Sequence, residues 1–158
     1  MRQLADADHI RQFMQALGAE GNEKARLYFT GGATAVLLGW RPTTIDVDIR
    51  LFPETDRLLR AVPRLKEQLQ LNIELACPAD FIPELRGWQD RSLSIAIEGQ
   101  VAFYHYDLYA QALAKIERGL IDLQTARRHF DEMEPLLYRY PAIHPPAFRR
   151  AAEEILAK

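Results

Sequence analysis

The sequence predicts an α/β fold of the α+β type: a mixed β-sheet flanked by helices, with a helical C-terminal subregion. Three observations carry this expectation. Segments with apolar residues at helical spacing alternate with short segments of period two as far as His105. A Glu98-Gly99-Gln100 turn joins two strand-like runs into a hairpin. From Asp107 onward the pattern is helical, so that helices pack on a sheet rather than on one another alone.

The elements follow in order. In DADHIRQFMQALGAEG, Ile10, Phe13, Met14 and Leu17 share a helix face. Asp6 or Asp8 caps the start of this helix, and Gly18 or Gly21 ends it. ARLYFTGG is a short strand broken by Gly31 and Gly32, and ATAVLLG a short buried helix that stops at Gly39. IDVDIRLF alternates, which predicts Ile45, Val47, Ile49 and Leu51 pointing inward. ETDRLLRAVPRLKEQLQ is helical, with a kink or split expected at Pro63. LNIELACP is a further strand closed by Pro78, and the hairpin and the helix LYAQALAKIERG come next. LIDLQTARRHFDEMEPLLYRY and PPAFRRAAEEILAK complete the helical part, the latter opened by Pro145 and Pro146.

At 158 residues, one domain is expected over 1–158, with a sheet-and-helix part at 1–106 and a helical part at 107–158. Apolar residues make up 48% and charged residues 27%, the balance of a soluble globular chain. A net charge of −2 supplies no global field for nucleic acid or an anionic membrane. The local pairs Arg127–Arg128 and Arg149–Arg150 read as solvated helix faces, with RNA binding as the weaker alternative. Cys77 is the one cysteine, which excludes an intramolecular disulfide and a cysteine-rich zinc site. His9, His105, His129 and His144 share no ligand spacing, and Ser92 and Ser94 stand in a strand rather than at a nucleophile elbow. Without an apolar leader after Met1 or a long apolar run, a cytoplasmic protein with no membrane partner is expected.

The chemistry-bearing stretch is TGGATAVLLGWRPTTIDVDIRL. Asp46 and Asp48 are two apart in a strand and so share a face. Two carboxylates that close repel one another unless a cation lies between them. Mg2+ suits such a site, and two ions would hold the attacking and leaving oxygens of a phosphoryl displacement. Gly31 and Gly32, between a strand and a helix, let an anion approach the backbone. Only 13 residues separate Gly32 from Asp46, so the two features belong to one local unit. Each has a plainer explanation: a solvated edge strand for the acids, an ordinary turn for the glycines. Glu74 in LNIEL becomes a third acid if its strand lies beside that of Asp46 and Asp48; Asp80 competes from a loop. Thr43 and Thr44 are expected to cap or bond locally.

Taken together, GG, a short helix and RPTTIDVDI resemble the signature of the polymerase-β-like nucleotidyltransferase superfamily. More narrowly they resemble the minimal AbiEii-type nucleotidyltransferases of toxin–antitoxin systems and their small relatives. AQALAKIERGLIDLQT is similar to the later motif of that family, a lysine and an arginine on a helix followed by an acid. The resemblance runs from about Thr30 to Thr125 and departs from the family in three ways. The chain is short, Thr125 stands where a second downstream acid is usual, and Gly-Gly replaces Gly-Ser.

The resemblance implies a nucleotidyltransferase-like fold that moves a nucleoside monophosphate from a nucleoside triphosphate such as ATP. It implies Asp46, Asp48 and Glu74 as catalytic and Mg2+-binding residues. Gly31, Gly32, Lys115, Arg118 and Asp122 would be the residues that hold nucleotide and phosphate. A protein hydroxyl, a tRNA end or a small molecule would be the acceptor, and a cognate antitoxin the partner. Lys115 and Arg118 also fit an ordinary solvated helix face, and Asp122 a helix cap. The alternative function is a catalytically silent nucleotide-binding or protein-interaction module on the same fold.

Overall fold

The computed structural model describes residues 4–80 and 84–117, together with Arg128 and Asp131. They form a mixed α/β structure around a five-stranded sheet, as the alternating pattern predicts. The order along the chain is α1 (Ala7–Glu20), β1 (Ala25–Thr30), α2 (Gly31–Leu37), β2 (Asp46–Phe52), α3 (Asp56–Leu69) and β3 (Asn72–Leu75). A 3-10 turn (Pro78–Asp80), α4 (Trp88–Arg91), β4 (Leu93–Glu98), β5 (Val101–His105) and α5 (Leu108–Glu117) follow. The described residues fall into two compact units, one within Met1–Cys77 and Ser94–His105, the other within Pro78–Leu93 and Tyr106–Lys158.

In the first unit the strands lie in the order β3-β2-β1-β5-β4. β1 is central, antiparallel to β2 and parallel to β5, while β2 and β3 run parallel. Period two then separates the faces. Leu27, Phe29, Val47, Ile49, Leu51, Ile73 and Phe103 join one buried core with Phe13, Met14 and Leu17 of α1 and Leu58, Val62 and Leu65 of α3. The Phe29 and Phe103 rings stack at 6.1 Å, and Phe13 meets Phe29 edge-on at 6.4 Å. Such pairs are each worth about 0.5–1.5 kcal/mol beyond simple burial.

Local chemistry sets the element ends. Asp6 accepts from the His9 amide at 2.8 Å and caps α1, which closes at Gly21. Gly18 lies inside α1 rather than ending it. A Cβ there would stand 2.5 Å from the Glu98 carbonyl oxygen, so the bare glycine admits the β4–β5 turn. α2 ends in a Schellman arrangement: Gly39 N–H donates to Val36 O (3.0 Å) and Trp40 N–H to Ala35 O (2.8 Å). Gly39 takes the positive φ, +81°, that this closure needs.

Two sequence expectations are corrected. Ile45 is 67% exposed, because β2 begins only at Asp46 and the inward alternation starts with Val47. α3 is not split at Pro63 but runs as one helix from Asp56 to Leu69. Pro63 is on the exposed side, so the ring meets solvent while Leu58, Ala61, Val62 and Leu65 hold the helix to the core.

The second unit has its own polar centre. Asp107 is fully buried; Arg91 Nε and Nη2 both donate to its Oδ2, at 3.0 and 2.7 Å. Asp107 Oδ1 accepts from the Tyr109 amide at 3.2 Å, which caps α5. Its own amide donates to Ser92 Oγ at 3.1 Å, and Ser92 Oγ donates to Trp88 O at 2.8 Å. Burial pushes the Asp107 carboxyl pKa upward, against the hydrogen bonds and charge of Arg91. Trp88 stacks on Tyr106 at 4.8 Å beside this network.

Because Pro63 removes one helical donor and gains no burial, Pro63→Ala is expected to stabilise the protein by about 2 kcal/mol, read as a higher midpoint of urea unfolding. An unchanged or lower midpoint would contradict this account of α3.

Candidate functional site

The polar face of the sheet is built by register. Thr30 pairs with Asp48 across β1 and β2, and Asp48 pairs with Glu74 across β2 and β3. Asp46 pairs with Asn72 one step along. Paired residues share a face, so Asp46, Asp48 and Glu74 occupy the face opposite the core. The condition attached to Glu74, that its strand neighbour that of the aspartates, is met. Asp46 and Asp48 are half-buried, and Glu74 is exposed.

The glycine pair meets these acids directly. Gly31 has φ +62° and opens α2, and a Cβ on it would lie 3.3 Å from Asp48 Oδ2. A Cβ on Gly32 would fall 2.0 Å from Thr44 Oγ1. Both glycines are therefore required by geometry: one by a left-handed backbone beside a carboxylate, the other by the close approach of α2 to the start of β2. Thr44 is itself fixed, by backbone bonds with Ala5 at 2.8 and 2.9 Å and by its hydroxyl, which donates to Asp46 O at 3.1 Å. The expectation that Thr44 bonds locally agrees with this placement.

Asn72 Nδ2 donates to Asp46 Oδ1, which fixes one oxygen of that carboxylate. Thr30 Oγ1 donates to Ala76 O at 3.4 Å. Among the described residues, no group of three or more His, Cys, Asp or Glu side chains is gathered closely enough to hold a metal ion. The donors on this face are nonetheless all hard oxygens on adjoining strands, which is the ligand chemistry that Mg2+ accepts. Lys115 belongs to α5 in the second unit, and Arg118 and Asp122 lie outside the described residues.

Three further polar residues of this unit had no role in the sequence reading. Thr34, on α2, donates its hydroxyl to Phe29 O at 3.1 Å. The same hydroxyl oxygen is hydrogen-bonded with His105 Nδ1 at 3.2 Å. Burial lowers the His105 pKa from 6.5 to about 4, which keeps the ring neutral. Arg50, the third, faces the acids' side of the sheet in register with Tyr28. Its signal was available, since Arg50 continues the period-two series Asp46, Asp48.

Comparison of the chain with protein-family models, with curated proteins and with solved structures found no match. No helix among the described residues is long and apolar enough to cross a membrane.

Gly32→Ala should cost about 1–3 kcal/mol of stability, since the added methyl overlaps Thr44. Equal urea midpoints for variant and parent would remove the close approach as an explanation. His105 gives a pH test. The unfolded chain binds this proton near 6.5, the folded chain only near 4, so stability is full above 6.5 and falls as pH drops towards 4. The loss amounts to about 3 kcal/mol. Asp107, whose folded pKa is raised, contributes with the opposite sign in parent and variant alike. His105→Gln should therefore flatten the decline between pH 6.5 and 4 in paired urea titrations; parallel curves would contradict it.

Proposed function

We propose that the chain is a Mg2+-dependent nucleotidyltransferase, transferring a nucleoside monophosphate from a nucleoside triphosphate to a hydroxyl group. One observation carries this reading: the glycine turn and the row Asp48–Glu74, with Asp46 beside it, meet on one face of the sheet. The motif resemblance from Thr30 onward agrees with that placement. Asp46, Asp48 and Glu74 are the residues that would hold Mg2+, and the metal would supply charge stabilisation of the phosphoryl oxygens.

The protein groups have separable tasks. Gly31 keeps side-chain bulk away from Asp48, where the triphosphate would approach. Glu74, exposed at the end of the acidic row, accepts the proton of the acceptor hydroxyl. That oxygen forms a bond to the α-phosphorus as the bond to the bridging oxygen breaks, and pyrophosphate departs. The acceptor belongs to one of three classes: a protein hydroxyl, a tRNA end or a small molecule. An antitoxin that binds this chain follows from the same family reading, and a cytoplasmic setting is the one in which nucleotide and Mg2+ are abundant.

A second reading has its own observation. Asn72 donates to one oxygen of Asp46 and so competes with a metal for that oxygen, which favours nucleotide binding without turnover. Labelled nucleoside triphosphates, Mg2+ and cell lysate separate the two. Transfer is expected from the parent, reduced by about two orders of magnitude or more in Asp46→Asn and Asp48→Asn. Calorimetric binding without transfer supports the silent module; neither binding nor transfer with any of the four nucleotides removes both readings.

A further inference from the structure

The polar face of the sheet carries a second row beside the acids. Along β2, Arg50 follows Asp48 by two residues, so its Cα lies about 7 Å from that of Asp48 on the same face. Across the sheet Arg50 pairs with Tyr28, and Tyr28 with Tyr104. The two tyrosine rings stack at 5.2 Å, and Arg26 lies over Tyr104 at 5.9 Å from its centroid. Burial raises the Tyr28 hydroxyl pKa, and the charges of Arg26 and Arg50 oppose it, so both guanidinium groups lie within electrostatic reach of that hydroxyl.

These two arginines differ in position. Arg26 is one further step from the acids, in register with Phe52, and its guanidinium lies over an aromatic ring. Arg50 adjoins the acidic row and is only half-buried. Arg57, Arg60 and Arg64 belong to α3, which packs on the opposite, apolar face, and Arg64 pairs with Glu20. A site that assembles acids for a metal and receives a triphosphate must also neutralise charge that the metal does not reach. A guanidinium suits that task, because its planar fork donates two parallel hydrogen bonds to one phosphate.

We propose that Arg50 is a phosphate-positioning residue of this site, binding the β- and γ-phosphates of the incoming nucleotide beside Asp48. The proposal rests on the nucleotidyltransferase reading above and adds a cation supplied by the acid-bearing strand itself. It makes β2 bifunctional: Asp46 and Asp48 at its start serve the reacting phosphate, and Arg50 serves the leaving pyrophosphate. The covalent change is the one already given, and Arg50 neither gains nor loses a proton in it.

Calorimetry of the full chain with Mg2+ and AMP, ADP and ATP, repeated for the other three nucleotide series, tests this. In the parent, affinity should rise with phosphate number. Arg50→Gln should weaken triphosphate binding by about 10- to 100-fold and monophosphate binding little, which flattens that rise. Arg50→Lys should recover part of it, and Arg60→Gln on the opposite face none of the defect. In the transfer assay the change should appear chiefly in KM. An Arg50→Gln protein with the parent's triphosphate affinity, or with equal losses for all three phosphorylation states, overturns the proposal and leaves the proposed reaction standing. A parent protein that neither binds nor transfers any nucleotide overturns the reaction first, and the role of Arg50 with it.

Discussion

The polar face of this sheet depends on the absence of a side chain at Gly32. A single methyl there would overlap the Thr44 hydroxyl, so a larger residue would lift the first turn of α2 away from the start of β2. With glycine in place, α2 begins directly at the end of β1, and Gly31 comes to rest beside the Asp48 carboxylate. Thr44 is held on its other side by Ala5, which ties the chain before α1 into the same junction. One close approach thus sets the distance between the glycine turn and the acids, and the register of β1 with β2 carries that setting across to Glu74.

How much of this was legible follows from the range of each signal. Period two along β2 is local, and it puts Asp46 and Asp48 on one face without reference to the rest of the fold. The Gly99 turn and the α1 cap are equally local: the turn lies where the pattern puts it, and of the two candidates Asp6 and Asp8 it is Asp6 that caps. The misreading of Ile45 came from extending the alternation one residue past the point where pairing begins. Pro63 does not split α3 because tertiary burial, which propensity alone leaves out, outweighs one missing hydrogen bond. Glu74 could be placed only conditionally, since strand order is a long-range property that no local pattern encodes. Gly18 shows the same limit: its reason is a turn some 80 positions downstream in the chain, and the sequence around it reads only as a helix end.

Buried polar groups in the two units are handled in opposite ways. Asp107 is fully enclosed, and its carboxylate is answered by Arg91 and by the Tyr109 and Ala110 amides at the start of α5. Removing either member of such a pair leaves the other uncompensated, a cost of about 3–5 kcal/mol. His105 has no charged partner among its described bonds and is held neutral, hydrogen-bonded with Thr34. The first arrangement fixes the start of α5. The second fixes α2 against β5 through a side chain one turn beyond the glycines, so that the helix opening at the site is anchored from below as well as at its end.

These anchors bear on what the polar face can do chemically. Acids in a row on adjoining strands repel one another, and a fold that keeps them together must hold the backbone firmly enough that the strands do not separate. The core face supplies that hold: Val47, Ile49, Leu27, Phe29 and Ile73 alternate with the polar residues and are buried among α1 and α3. Val47 lies between Asp46 and Asp48, Ile49 follows Asp48 and Ile73 precedes Glu74, so the repulsion is opposed by apolar burial worth about 1.5–3 kcal/mol for each large side chain. Asn72 then offsets the repulsion locally by donating to Asp46, and Gly31 leaves space beside Asp48. Arg50 extends the same strand with a positive charge, so β2 presents negative and positive groups in sequence along one face. On the nucleotidyltransferase reading proposed above, that order of charge would suit a cation at one end of a polyanion, the charge distribution of a metal-bound triphosphate.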